Sequence, residues 1–156
     1  MRTSSGGLPH RRSVRLTPSS YRDATVFITI CSDEKRCTFG RVENDHVLLS
    51  PLGEIVNREW LRSKTVRPDV LFDEYTIMPN HMHALVCVPT ADGSRSSLAS
   101  LVRGFKGAVT RAAGREVWQR GYHEHIVRDE RELEIVRTYI QENPIRWTVD
   151  RYHMGE

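Results

Sequence analysis

Val70–Val88 reads VLFDEYTIMPNHMHALVCV. Its two halves, Val70–Met78 and His81–Val88, are rich in β-branched and aromatic side chains, which fit a pleated surface buried on at least one face. Only Pro79-Asn80 stands between them, so the two runs are expected to be strands joined by almost no loop. The second run opens with His81-Met82-His83. Side chains two apart in a strand point to the same face, so the two imidazoles are expected to be neighbours and Met82 to point into the core. Neutral imidazole is a common metal ligand, and such a pair supplies two of the ligands that a divalent cation wants. The plain alternative is two half-exposed histidines at a strand end.

Moving outward toward the N-terminus, Ala24–Ser32 (ATVFITICS) reads as a further buried strand. Arg36–Val42 and His46–Leu49 flank the turn signal Glu43-Asn44-Asp45 and read as a hairpin. Ser50 then offers an N-cap and Pro51 a first helical position. Leu52, Ile55, Val56, Glu59 and Trp60 follow at helical spacing, and Arg67-Pro68 closes that helix. Toward the C-terminus, Pro89–Ser97 reads as a polar linker. Leu98–Ala113 places Leu98, Leu101, Val102, Phe105, Val109 and Ala112 on one helical face, and Gly114 stops it. Tyr122–Val127 is a short strand. Asp129 caps a last helix running to about Asn143, with Leu133, Val136 and Ile140 inward and Pro144 ending it. Setting the hairpin aside, the order is βαββαβ. That order predicts an α+β, ferredoxin-like (RRM-like) sandwich: an antiparallel sheet with two helices on one face. The other face is left for a ligand or a third helix.

The chain has 156 residues, enough for one domain. At 38% apolar and 28% charged it is expected to be globular with a polar surface rather than disordered. No apolar run reaches the roughly 18–20 residues of a membrane helix, and no apolar leader segment opens the chain, so neither a membrane partner nor secretion is expected. Cys31, Cys37 and Cys87 are odd in number and show no Cys-x-x-Cys spacing. A disulfide framework or cysteine zinc site is therefore not expected, and a cytoplasmic location is. Charge is unevenly distributed. Residues 1–20 read as a flexible basic arm, and residues 96–115 hold Arg103, Lys106, Arg111 and Arg115 with no acid. Arginines make up 20 of the 23 cations, which suits forked contacts to phosphate. These four residues are candidate contacts for a nucleic-acid backbone; the bland alternative is a solvated helix face. Trp118, Tyr122 and Trp147 either stack on bases or belong to the core.

Tyr139 and Asn143 are four apart and so share one face of the last helix. Taken alone they are a core tyrosine and a C-cap asparagine. Met78-Pro79-Asn80-His81-Met82-His83-Ala84-Leu85-Val86 resembles the MPNHxH signature of small single-tyrosine HUH transposases. Tyr139-Ile140-Gln141-Glu142-Asn143-Pro144 resembles the YIxxNP helix of their REP-associated tyrosine transposase branch. Trp118–Arg128 is similar to the WQxxYxxHxIR stretch between those motifs, and Leu49-Ser50-Pro51-Leu52-Gly53 and Phe105-Lys106 also fit. The resemblance covers residues 21–147, taken as the transposase domain, and leaves residues 148–156 as a tail.

The resemblance implies that Tyr139 is the nucleophile and that His81, His83 and Asn143 hold a divalent metal, Mg²⁺ or Mn²⁺. Glu124 and His125 would support the site. The implied activity is that of a metal-dependent single-stranded DNA endonuclease and strand transferase acting through a 5′-phosphotyrosine, on single-stranded or hairpin DNA. Monomer and homodimer both occur among such proteins. The main rival reading is an RRM-like nucleic-acid-binding module without catalysis, which needs none of His81, His83 and Tyr139. A third, a metal-dependent hydrolase of a small phosphate ester, leaves Tyr139 and the basic segments unexplained.

Overall fold

The computed structural model describes residues 23–89 and 97–149. The expected arm, most of the Pro89–Ser97 linker and the end of the tail lie outside the described residues. β1 (Asp23–Cys31) is followed by a hairpin of β2 (Gly40–Glu43) and β3 (His46–Leu49), then α1 (Pro51–Val66). β4 (Leu71–Met78) and β5 (His81–Pro89) come next, then α2 (Leu98–Ala113), β6 (His123–Ile126) and α3 (Glu130–Glu142). The main sheet has the order β4-β5-β1-β6. All its pairs are antiparallel, which is the predicted ferredoxin-like sandwich.

Local chemistry sets the helix ends. Ser50 Oγ accepts from Gly53 N at 3.0 Å, with Pro51 at the first helical position. Ser97 and Ser100 cap α2 reciprocally, and Gly114 ends it at φ 73°, where a side chain would be strained. Asp129 Oδ1 accepts from Glu132 N at the start of α3. The hairpin turns at Asn44 and Asp45, whose φ values of 52° and 64° suit the twist of a two-residue connection.

One boundary differs from the sequence reading. The hairpin's first strand starts at Gly40, not Arg36. Asp33–Lys35 form a short 3-10 turn, and Phe39 is fully buried, with its N–H donated to Pro79 O rather than to a hairpin partner. Core burial of one aromatic ring thus overrides the strand propensity around it.

Alternation divides the sheet cleanly. Val26, Ile28 and Ile30 of β1 and Met82, Ala84, Val86 and Val88 of β5 pack with Leu52, Val56 and Trp60 of α1 and Leu101, Val102, Phe105 and Val109 of α2. The Trp60 ring meets Phe72 at 5.2 Å and Phe105 at 5.0 Å. The opposite face carries a smaller cluster: Leu85, Val127, Leu133, Val136 and Ile140, with Phe27 beside it. Leu133, Val136 and Ile140 are the inward stripe of α3, each worth about 1.5–3 kcal/mol when buried. They seat α3 over β4 and β5. Among the described residues, no helix is long and apolar enough to cross a membrane.

Candidate active site

His81 and His83 stand at the start of β5, opposite Cys31 and Thr29 of β1. Both are buried, on the sheet face that carries α3, and Met82 between them is fully buried among the residues under α1 and α2. The two ring centroids are 4.6 Å apart. Each ring is held through Nδ1: His83 lies 2.8 Å from Thr29 Oγ1, and His81 lies 2.8 Å from Asn80 Oδ1. Asn80 Nδ2 donates to Lys35 O, which turns Oδ1 toward the ring. His81 Nδ1 is therefore the donor, and its lone pair is at Nε2. Burial pushes the His81 pKa from 6.5 down to about 3; the Asn143 side chain opposes this and the Lys35 charge adds to it. His81 is thus neutral at physiological pH, the form that can ligate a metal.

The last helix brings the other two expected residues to this face. Tyr139 is half-buried, its ring centroid 5.4 Å from that of His83 and 6.0 Å, edge-on, from that of Phe27. Asn143 is buried where α3 ends, beside His81. Its Oδ1 is shut away from solvent and completes no well-formed hydrogen bond. Beyond Pro144 the chain makes a short 3-10 turn, and Trp147 stacks on His81 at 6.2 Å and 29°. Trp147 is a buried wall of the site rather than a platform for bases.

The donor set fits a divalent cation. A buried amide oxygen costs free energy unless it finds a partner, and here Asn143 Oδ1 lies beside His81, whose ring clusters with that of His83 and is fixed in the ligating tautomer. Among the described residues no three His, Cys, Asp or Glu side chains gather as a metal site. A cation here would rest on two imidazoles and one amide oxygen, with open positions for water and a phosphate.

The basic residues lie elsewhere. Arg103, Lys106 and Arg111 of α2 line an open groove of about 800 Å³ with Trp118, Gln119, Arg120 and Tyr122. Arg115 is exposed but does not line it, while Arg120, beyond the acid-free segment, does. Lys106 is engaged with the protein: Nζ donates to Gln119 O at 3.0 Å and Gly121 O at 2.9 Å, and burial lowers its pKa. Trp118 is buried against Phe39 and Phe105 and belongs to the core. Burial, then the Glu124 carboxylate, raises the Tyr122 pKa. Glu124 is the cross-strand partner of Ile28, which packs under α1 and α2, so it belongs to the groove face of the sheet rather than the face of the histidine pair. His125 Nε2 lies 2.6 Å from Glu132 Oε2, and Glu132 also accepts from Arg128 N, so His125 tethers β6 to the first turn of α3.

Thr29, Asn80 and Trp147 join the site without being marked as its residues by the sequence. Asn80 adjoins His81 and is within reach of a motif argument. Thr29 is not, because its place beside His83 comes from the β1–β5 register.

A family model described as IS200-like transposase matches residues 54–143. An uncharacterized protein of Haemophilus influenzae is 36% identical over 172 aligned positions, spanning 95% of this chain and 96% of its own length. Among solved structures, a REP-associated tyrosine transposase bound to a REP hairpin superimposes with a TM-score of 0.64 at 24% identity, over 79% of this chain and 67% of that one. A Deinococcus radiodurans R1 structure with a provisional transposase description gives 0.51 at 14% identity, over 77% and 91%. Both share the fold.

Proposed function

Starting from a chain that belongs to the IS200-like transposase family, we propose that residues 21–147 form a domain that cuts and rejoins single-stranded DNA through Tyr139. The observation that carries this reading is the Tyr139 ring, 5.4 Å from His83 on the one sheet face that also holds His81 and Asn143. A pure binding module needs no phenol beside a buried histidine pair.

The chemistry follows from the residues. The Tyr139 oxygen gives up its proton and attacks a DNA phosphorus, forming a 5′-phosphotyrosine bond as the P–O bond to the 3′ oxygen breaks and leaves a 3′-hydroxyl. The phosphodiester energy is kept, so a DNA 3′-hydroxyl can reverse the step. A bound Mg²⁺ or Mn²⁺ would neutralise charge on the phosphate oxygens. His81, His83 and Asn143 would hold it, with Asn80 and Thr29 fixing the two rings. Phe27 and Trp147 are apolar walls that limit water around the phenol and the imidazoles.

The DNA is proposed to reach the site from the α2 groove, with Arg103, Arg111 and Arg120 on its backbone. Gln119 of that groove donates its N–H to Cys31 O, and Cys31 is the cross-strand partner of His81, so groove and site meet at one end of the sheet. A hairpin-forming strand is the proposed substrate, by analogy with the solved relative that holds a REP hairpin. The test is a denaturing gel of the protein with 3′-labelled hairpin DNA and Mn²⁺. A covalent protein–DNA band should form, vanish in chelator and be absent with Tyr139→Phe. An adduct that persists in Tyr139→Phe would reassign the nucleophile. Hairpin binding with no adduct in any protein would favour the binding-module reading.

A further inference from the structure

Beyond the His125–Glu132 contact at its first turn, α3 is held along its length to the sheet in two ways among the described residues. The apolar stripe Leu133, Val136 and Ile140 packs over β4 and β5 but is non-directional. The second attachment is a built clamp on one flank of that stripe. Arg137, 6% exposed, grips Asp73 with two donors: Nε to Oδ1 at 3.1 Å and Nη2 to Oδ2 at 2.5 Å. One turn later, Gln141 Nε2 donates to Glu74 at 3.2 Å.

A regular strand cannot offer both carboxylates to one helix, because adjacent side chains point to opposite faces. β4 is not regular there. Phe72 pairs with Val86 and Tyr75 with Ala84, so Asp73 and Glu74 together oppose Leu85 alone, a β-bulge. The parity shift is visible on the far face: Phe72 and Tyr75, three apart, both pack on Trp60. The extra residue lets Asp73 and Glu74 both engage α3.

At about 100° per residue, Arg137 and Tyr139 fall on opposite flanks of the Leu133–Val136–Ile140 stripe. The clamp on the β4 side, facing the His125–Glu132 contact across the stripe, can therefore fix the roll of the helix, and the roll decides where the phenol stands beside His83 and Phe27. We propose that Arg137, gripped by the bulge residue Asp73, is a positioning residue for Tyr139; this rests on the reading of Tyr139 as nucleophile. At the roughly 5–6 Å radius of a helix's side-chain shell a 10° roll moves a group by about 1 Å, and a misplacement of that size can cost on the order of 100-fold in rate.

The experiment compares wild type, Arg137→Lys, Arg137→Met and the double variant Asp73→Leu/Arg137→Met. Single-turnover adduct formation is measured at saturating hairpin DNA and normalised to folded protein, alongside DNA affinity, melting temperature and amide exchange of α3. Arg137→Lys keeps the charge and removes the fork. It and Arg137→Met should slow the adduct step about 10- to 100-fold while DNA affinity stays within about threefold. The double variant removes both buried charges, so it should regain thermal stability yet remain slow. It also carries the test if Arg137→Met does not fold. Wild-type rates in the double variant or in Arg137→Lys would overturn the proposal and leave the pair as a stability element. If wild type itself forms no adduct, the nucleophile reading has failed. The clamp is then judged by exchange: faster exchange of residues 137–143 in the double variant supports it, and unchanged exchange overturns it.

Discussion

Replacing Gly53 by alanine sets two effects of opposite sign against each other. Gly53 lies in the first turn of α1, where alanine is favoured over glycine by up to about 1 kcal/mol. Against this, an added Cβ would stand 2.0 Å from Phe39 O, 3.0 Å from Phe39 C and 3.1 Å from a Leu49 methyl. The obstacle is backbone, so it cannot swing aside as a side chain would. Phe39 is also pinned: its N–H is bound to Pro79 O, its carbonyl accepts from Ser50 N, and its ring is fully buried against Trp118. Overpacking of this kind costs about 1–3 kcal/mol, and breaking the Ser50–Phe39 hydrogen bond adds about 1. The steric cost wins, and Gly53→Ala should destabilise by roughly 2 kcal/mol net of the propensity gain. With a urea m-value of about 1–3 kcal/mol/M, the midpoint should fall by about 1 M with m unchanged. A midpoint that holds or rises would refute the reasoning, because it would mean α1 does not press on Phe39. The consequence reaches the site, since Pro79 O, which holds Phe39, immediately precedes the Asn80 that orients His81.

Acid should destabilise the metal-free protein through His81. Its folded pKa is depressed, so the stabilising contribution is complete above about 6.5 and disappears as pH falls from there toward 3. In chelator, wild type should lose about 1.4 kcal/mol per pH unit more than His81→Gln between roughly pH 6 and 4; equal slopes in the two would remove this group from the acid response. Thr29→Val deletes the hydroxyl that holds His83 and should weaken Mn²⁺ binding by about 10-fold or more in calorimetry, where an unchanged affinity would take Thr29 out of the site. Neutralising Arg103, Arg111 and Arg120 together should lower the slope of log affinity against log salt for single-stranded DNA by roughly 2, at about 0.7 for each phosphate no longer neutralised. The same slope in the variant would mean that the groove carries no DNA backbone.

Much of the fold is legible in the sequence because it is written in short-range patterns. Period 2 in His81–Val88 puts His81 and His83 on one face and Met82 on the other, and the sheet divides its faces that way. Period 3.6 makes Leu133, Val136 and Ile140 the buried stripe of α3, and Ser50, Ser97, Asp129 and Gly114 mark helix ends that the backbone adopts. Where propensity meets a tertiary demand it yields: Arg36–Phe39 reads as strand, yet burying Phe39 delays the hairpin ladder to Gly40. Likewise Arg103 and Arg111 share a helix face by spacing, but Arg120 joins them in the groove and Arg115 does not, because Lys106 draws the 119–121 backbone onto α2.

Residue order alone settles which side chains share a face of a regular helix or strand, where the helices start and stop, and which family the motifs resemble. Each of these depends on residues a few positions apart, whose geometry is set by the backbone repeat. Folding in three dimensions is needed to bring Thr29 to His83, to turn Asp73 and Glu74 together toward Arg137 and Gln141, and to close Tyr139 and Asn143 over the histidines from a helix more than fifty residues away. Register, bulge and docking angle minimise the energy of interactions between distant segments. A partner 54 or 64 residues away leaves no period in the local pattern, so these features appear only when the chain is folded.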